Sequence, residues 1–479
     1  MVGFFTSGCG MVIGTIVDSA LNTVTYPFKE HVFAKAYKYD NVWTEKYIPI
    51  EEKDEDYGEV LLGLAVSGGG SRSAYFFSCI VEELSKIPIS PGSSKTYLDE
   101  VDFISSVSGG SLASTYYCMK RYHPKYKDED FFPKFKINMK RNFEKAALVR
   151  YTVGGNWTTD FFTYYDRGDL MASIWDKMIF KGATFNELIE AQNAGSPKLI
   201  INGTILNNGL KFVFSTIPDQ KFNNSQYFSA IRDSSFIQHS ATQSYVPFQT
   251  VGFEYIDSDI KQYRLSKAIV ASAAVPSLLG PVTLKDRSKE KDRFLHIVDG
   301  GVYDNYGVES LMQVFTEYLD RNPGKKSLIL VIDGSGYFKE DERDSDDFNV
   351  SYYAERPISI SWLRTKGYME FVFQQARNFK NKNNVVPYQN LSFNLLSLYG
   401  VLPSQEEKSS TTLGISDPNL KKILNPKTFL RPDVLTEDFI DKLVGIRTGF
   451  ALSKSDAVVI EKVAAQVVKS KLYSEKKPD

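Results

Sequence analysis

The chain has 479 residues, of which 42% are apolar and 24% are charged, as in an average soluble globular protein. This length suits one large α/β domain with insertions or two to three ordinary domains, and the composition excludes a wholly disordered chain. Lysine and arginine (57) balance aspartate and glutamate (58), so the net charge of −1 does not indicate a nucleic-acid partner.

Cysteine and histidine are too few and too scattered to form a recognisable centre. The three cysteines (Cys9, Cys79 and Cys118) contain no CxxC pair, and the four histidines have no metal-binding spacing. We therefore expect no disulfide framework, no metal and no cofactor.

The N-terminal segment, residues 1–56, is hydrophobic and aromatic. Its first 17 residues (MVGFFTSGCGMVIGTIV) carry no charge, but they are slightly short for a spanning helix and lack the basic start of a secretory signal. Residues 6–9 are similar to a bacterial lipoprotein cleavage box. Two interpretations remain open, a membrane anchor and a helix buried against the rest of the protein. We expect membrane association, with a cytoplasmic or secreted protein as the alternative.

Regular structure is predicted from residue 60 onwards. The apolar run EVLLGLAV (59–66) predicts a buried strand, and a helix with an apolar face follows at 71–87. The same order recurs in strand 101–107 and helix 111–122. Two strand–turn–helix units in succession predict a parallel sheet with crossover helices.

Residues 122–260 are interpreted as an insertion into this domain. Its first part is predicted to be helical and lid-like, with amphipathic stretches near 134–147 and 169–191. Further on, Asn207-Asn208-Gly209 separates two apolar runs and predicts a β-hairpin.

The last predicted strands of the domain are residues 294–299 and 326–333, with a helix at 308–319 between them. A charged loop, 339–347, follows. Residues 336–479 form a mixed C-terminal extension, with helix patterns at 436–446 and 454–471.

Three motifs of small residues follow predicted strands. Residues 106–110 (SVSGG) place Ser108 between a strand and a helix, the sharp turn that a nucleophilic serine needs. Residues 68–70 (GGG) offer backbone N–H groups to an anion, such as the oxyanion of acyl transfer. Residues 299–301 (DGG) place a carboxylate at a strand end. Each motif alone has an ordinary explanation: a helix cap, a glycine-rich loop or a turn.

Together and in this order, the motifs resemble the patatin-like phospholipase family and, more distantly, the cytosolic phospholipases that share its fold. The resemblance includes GGGxR at 68–72, a GxSxG-type elbow in which Ser106 replaces the first glycine, and ASAAVP at 271–276, similar to ASxAxP. It covers about residues 60–335. It implies a three-layer α/β/α catalytic domain at 57–335 with a mainly parallel sheet, on which the C-terminal extension packs.

The resemblance also implies a catalytic dyad without a histidine. Ser108 would be the nucleophile and Asp299 its general base. Arg72 would bind substrate phosphate or position the loop, while a structural ion pair remains equally open. The implied function is hydrolysis of carboxylic esters of lipids or phospholipids at a membrane surface. The implied oxyanion hole comprises Gly68, Gly69, Gly70 and Gly109.

Two other classes are weighed against this one. A Ser-His-Asp hydrolase needs a histidine after the acid, and none follows His296, which at its spacing should face away from Asp299. The second alternative is a catalytically inactive, membrane-associated binding or scaffold protein on the same fold. Such a protein would be expected to have lost Ser108 or Asp299, and both are present.

Overall fold

The computed structural model describes residues 40–50, 57–90, 92–152, 166–234, 246–275, 279–336, 350–397, 443, 445–446 and 448–472. The uncharged run 1–17, the charged loop 339–347 and most of the helix pattern at 436–446 lie outside these residues. No helix within the described ranges is long and apolar enough to cross a membrane.

Nine strands in the described residues form one sheet. The strands β1 to β9 span Val60–Val66, Phe103–Val107, Lys198–Ile205, Lys211–Ser215, Thr250–Val251, Val282–Asp286, Arg293–Asp299, Lys326–Asp333 and Leu391–Ser397. The main order of the sheet is β5-β4-β3-β2-β1-β8-β9, while β7 pairs with β3 and β6 with β7. Five of the pairings are parallel, and the three involving β3–β4, β3–β7 and β6–β7 are antiparallel. The mainly parallel sheet is therefore confirmed.

The sheet has a hydrophobic core on each face. In β1, Leu62 and Leu64 belong to one core and Leu61 and Ala65 to the other, because successive side chains of a strand point to opposite faces. The described helices α1 to α13 span Gly70–Leu84, Gly109–Tyr122, Phe131–Met139, Phe143–Thr152, Arg167–Trp175, Phe185–Asn193, Asp219–Asn223, Gln226–Ser234, Leu265–Ser272, Gly301–Asp304, Val308–Arg321, Val350–Arg377 and Lys454–Leu472. Helices α1, α2, α9 and α13 contribute to the first core, and α8, α11 and α12 to the second.

The two amphipathic stretches of the predicted insertion are each divided into two helices. The first breaks between α3 and α4, where the side chain of Asn142 accepts a hydrogen bond from the amide of Lys145 and begins the new helix. The second breaks at Lys181 and Gly182, whose φ angles of 56° and 77° cannot continue a right-handed helix. The helical spacing of apolar residues continues across both breaks, because the helices on either side of each break pack against the same hydrophobic core.

The predicted insertion 122–260 also contributes strands to the sheet. Strands β3, β4 and β5 lie within it, and β3 pairs with β2 along its length. The hairpin predicted at Asn207-Asn208-Gly209 is confirmed as the antiparallel pair β3–β4. The sheet therefore includes strands that precede the helical part in the sequence (β1 and β2) and strands that follow it (β3, β4 and β5).

The C-terminal region joins both the sheet and a helical layer. Strand β9 pairs in parallel with β8, and helix α13 packs against α1, where the Tyr75 hydroxyl donates to Glu461 Oε1 at 2.6 Å. The described parts of the predicted extension are thus integral to the fold.

Candidate active site

Two strands meet end to end along one edge of β3. Strand β2 pairs in parallel with β3 and ends with Val107 opposite Asn202. Strand β7 pairs antiparallel and ends with Asp299 opposite Gly203, the next residue of β3. Since β4 occupies the other edge of β3 at this point, β2 and β7 run toward each other on the same edge. The residue after β2, Ser108, therefore lies beside the last residue of β7.

Ser108 occupies a strained turn between β2 and α2. Its φ and ψ angles are 54° and −123°, a region that residues with a side chain rarely adopt and that costs roughly 1–3 kcal/mol. The turn also needs Gly109, because a β-carbon there would lie 2.1 Å from the carbonyl oxygen of Gly70. Ser106 is accommodated in place of the usual glycine, since its hydroxyl donates to the buried carbonyl of Ile200 at 3.2 Å.

A buried serine, Ser272 at the end of α9, fixes the backbone of this turn. Its Oγ accepts the amide N–H of Ser108 at 2.9 Å and donates to the carbonyl of Asn202 at 2.6 Å. The single hydroxyl proton of Ser272 goes to that carbonyl, which can only accept. The Ser111 hydroxyl, 3.0 Å from Ser272 Oγ, therefore donates its proton to Ser272 Oγ. One side chain thus joins the nucleophile turn to β3 and α2.

Asp299 is a buried carboxyl with 4% of its surface exposed. Burial raises its pKa to about 7, although the amide of Gly301, which donates to Oδ1 at 2.6 Å, and the Ser108 hydroxyl both lower it by hydrogen bonding. Oδ2 has no hydrogen bond of ordinary length and angle to any described residue. No hydrogen bond of ordinary geometry therefore joins the Ser108 hydroxyl to Oδ2 in this structure.

The backbone of Asp299 is held on both sides. Its amide donates to the carbonyl of Ala274 at 3.0 Å, and its carbonyl accepts from Thr204 Oγ1 at 2.9 Å. The carboxylate is therefore presented by a fixed main chain rather than by a free loop.

Of the predicted oxyanion donors, Gly68 is excluded. Its amide donates to the carbonyl of Asn305 at 2.9 Å, so it is not free to bind a developing anion. The amides of Gly69, Gly70 and Gly109 have no acceptor within the described part of the chain. Gly69 and Gly70 have φ angles of 136° and 62°, a conformation that favours glycine.

Arg72, for which the sequence leaves substrate binding, loop positioning and a structural ion pair all open, is held by protein acceptors in this structure. Its side chain is 2% exposed, and Nε, Nη1 and Nη2 donate to the carbonyl of Gly334, the carbonyl of Ile446 and the hydroxyl of Thr448 at 2.9, 2.7 and 2.9 Å. All three nitrogens are engaged by protein acceptors, so Arg72 holds loops around the site.

Two asparagines belong to the site; Asn202 carried no signal in the sequence, whereas Asn305 lies in a stretch, residues 298–311, that shares the family resemblance. Asn202 donates through Nδ2 to Ser105 Oγ and to the carbonyl of Ser106, both at 2.9 Å, and so holds the end of β2. Asn305 is 2% exposed, and its Nδ2 has no partner in the described residues. Ser272 did carry a signal, since it lies in the stretch similar to ASxAxP.

The nearby His296 is engaged elsewhere. The described residues contain no group of histidine, cysteine or acidic side chains that could hold a metal. The His296 ring lies against the Thr283 hydroxyl on β6, 3.0 Å from Nδ1. Asp299 is thus the titratable partner that the structure brings to Ser108.

This fold and site define an α/β protein with a serine–carboxylate pair at converging strand ends. The chain belongs to the patatin-like phospholipase family, whose model matches residues 64–312. No curated protein matches the chain.

The chain also matches solved structures of a human enzyme at low identity and low structural score. Human GIVD cytosolic phospholipase A2, in complex with methyl gamma-linolenyl fluorophosphonate and terbium chloride, is 11% identical with a TM-score of 0.38, over 88% of this chain and 59% of that one. The same enzyme without the inhibitor is 11% identical with a TM-score of 0.39, over 88% and 60%. The present chain thus corresponds to about three fifths of that enzyme's length.

Proposed function

We propose that the protein is a lipid acyl-hydrolase, a serine esterase of the phospholipase A or lysophospholipase type. The observation that carries this proposal is the pairing of a strained, strand-end serine with a buried carboxyl whose pKa is about 7. Membership of the patatin-like phospholipase family supports a lipid ester as the substrate. The proposed reaction requires no cofactor or metal.

In the acylation step, Asp299 removes the hydroxyl proton of Ser108 as Oγ attacks the ester carbonyl carbon. The amides of Gly69, Gly70 and Gly109 bind the oxyanion of the tetrahedral intermediate, and each such donor is worth about 3 kcal/mol of barrier. The intermediate then breaks its carbon–oxygen bond to the alcohol, and Asp299 returns the proton to that leaving oxygen. The acyl group remains on Ser108.

In the deacylation step, the same carboxylate removes a proton from water. The water oxygen attacks the acyl carbon, the same amides bind the second oxyanion, and the bond to Ser108 Oγ breaks. Asp299 then protonates the departing serine oxygen, and the fatty acid leaves.

The electrostatics of Asp299 explain why a histidine is unnecessary in this scheme. A solvated aspartate, with a pKa near 3.8, is too weak a base to deprotonate a serine efficiently at neutral pH. Removal from water makes the charged form less stable and the carboxylate more basic, and a base is most effective when its pKa lies near the working pH.

The alternative is an inactive binding or scaffold protein. The backbone strain at Ser108 argues against it, because a binding protein gains nothing from a turn that serves to expose a hydroxyl. Association with a membrane surface remains part of the proposal, since a lipid ester is reached there.

One experiment tests the proposed function. The full-length protein is incubated with phospholipids, lysophospholipids and neutral glycerides, and the released fatty acid is measured for wild type and Ser108→Ala. A fluorophosphonate probe is then used to map the reactive serine by peptide mass spectrometry. Equal release by Ser108→Ala, or no labelling of Ser108, would contradict the proposal.

A further inference from the structure

A segment of the C-terminal region, outside the residues that match the family model, packs against residues 68–70, which we call the glycine loop. We call Ile446 and Thr448–Phe450 the C-terminal strap. Arg72, just after the loop, donates to the carbonyl of Ile446 and to the hydroxyl of Thr448. Its third bond, to the carbonyl of Gly334, ties the same guanidinium to the segment that follows β8.

The strap also contacts the loop backbone directly. The amide of Ser71 donates to the carbonyl of Gly449 at 2.7 Å. A β-carbon on Gly70 would lie 2.2 Å from that same oxygen, so the Gly449 carbonyl packs against the Gly70 main chain. Ser71 contributes the next amide after those of Gly69 and Gly70, and its bond to the strap fixes the plane of the Gly70–Ser71 peptide.

The strap is anchored at its other end on the helical region. The amide of Phe450 donates to Glu144 Oε1 at 2.9 Å, and its carbonyl accepts from the amide of Phe143 at 2.9 Å. The Phe450 ring packs edge-on against Trp175, with centroids 5.7 Å apart. The Gly449 carbonyl therefore belongs to a segment fixed on both sides.

We propose that the C-terminal strap is a positioning element of the oxyanion hole and that Arg72 acts through it. This inference rests on the proposed hydrolase function. Gly69 and Gly70 are the least restrained residue type, whereas oxyanion stabilisation requires donors that are fixed before the reaction begins. The strap restrains the loop from the Ser71 side, and the two preceding amides have no acceptor among the residues that the structure describes.

The test uses two variants that loosen the strap, Thr448→Val within it and Arg72→Lys at the side chain that holds it, and a matched control in the full-length protein; the two are called the strap variants. Thr448→Val removes the acceptor of Arg72 Nη2 at nearly constant side-chain volume. Arg72→Lys keeps the positive charge but cannot donate to all three acceptors of the guanidinium at once. Tyr75→Phe is the control, since it breaks the bond from α1 to Glu461 of α13 without touching the strap. For each, kcat and KM on a soluble short-chain ester, the melting temperature and hydrogen–deuterium exchange of the peptide containing Ser71 are measured.

We expect kcat to fall roughly tenfold or more in both strap variants while KM changes little, because the lost interaction acts mainly in the transition state. Exchange of the Ser71 peptide should accelerate, and Thr448→Ser should restore both properties. Tyr75→Phe should lower the melting temperature with kcat unchanged.

The inference is overturned if the strap variants lose only thermal stability, as the control does, or if exchange at Ser71 is unchanged. If the wild type neither hydrolyses esters nor reacts at Ser108, the proposed function fails. The exchange measurement then still decides whether the strap holds the loop, so the two failures are distinguishable.

Discussion

The hydroxyl oxygen of Ser272 accepts the backbone N–H of Ser108, 164 positions earlier in the chain, at 2.9 Å. The same atom donates to the carbonyl of Asn202. The orientation of the proposed nucleophile therefore depends on a side chain that takes no part in the chemistry.

We expect Ser272→Ala to lower kcat about tenfold to a hundredfold and to destabilise the fold by about 1–3 kcal/mol, because it leaves buried polar groups unpaired. Ser114→Ala is the matched control, since Ser114 is equally buried and its hydroxyl has no partner in the described residues. Kinetics on a soluble ester and denaturant unfolding measure the two effects. Equal behaviour of the two variants would mean that Ser272 does not position Ser108.

The proposed dyad predicts strongly non-additive losses. Ser108→Ala and Asp299→Asn should each lower kcat/KM by about a thousandfold or more, and the double variant should be scarcely worse than either, because the two groups act in one proton transfer. Ester hydrolysis by the three purified variants provides the test. Substantial activity in Asp299→Asn would require another base.

The pH dependence of activity should report Asp299. Only the ionised carboxylate can accept the Ser108 proton, and burial raises its pKa to about 7, so kcat/KM should rise with pH and level off above about 7. A profile measured between about pH 4 and pH 9 on a soluble ester tests this. A plateau extending down to the ordinary aspartate range would contradict it.

Asp299 should also make the protein less stable as the pH rises. Between its ordinary pKa of 3.8 and about 7, the folded protein keeps a proton that the unfolded chain has lost, so the free energy of unfolding falls through this interval. The loss of unfolding free energy due to Asp299 is absent below pH 3.8 and complete above about pH 7. Asp299→Asn should therefore match the wild type near pH 4 and melt higher than it at about pH 8. Parallel melting curves at all pH values would contradict this.

The N-terminal segment predicts a separable membrane contact. As a helix, its uncharged run 1–17 would offer an apolar surface to lipid. Deletion of residues 1–20 should therefore lower liposome co-sedimentation and leave hydrolysis of a soluble ester intact. The control is co-sedimentation of the full-length protein with Ser108→Ala, which should be unchanged. Joint loss of solubility and activity would instead mean that the segment is part of the core.

The sequence by itself determined the main strands and the position of the reactive turns. Apolar runs such as 326–333 match β8 residue for residue, because a strand buried on both faces reads as continuous apolar sequence. The tight turn at Ser108 could also be predicted from the sequence, because the small residues that permit it are its immediate neighbours.

The tertiary structure alone decided which groups meet. The sequence placed Asp299 at a strand end. It could not indicate that β7 pairs antiparallel with β3, or that Asp299 lies opposite the residue of β3 next to the one that faces Val107. The hydrogen bonds that bury Arg72 against Ile446 and Thr448 could likewise not be predicted from the local sequence. A turn is set by steric limits within a few residues, whereas these hydrogen bonds join residues far apart in the chain and exist only once the layers have packed.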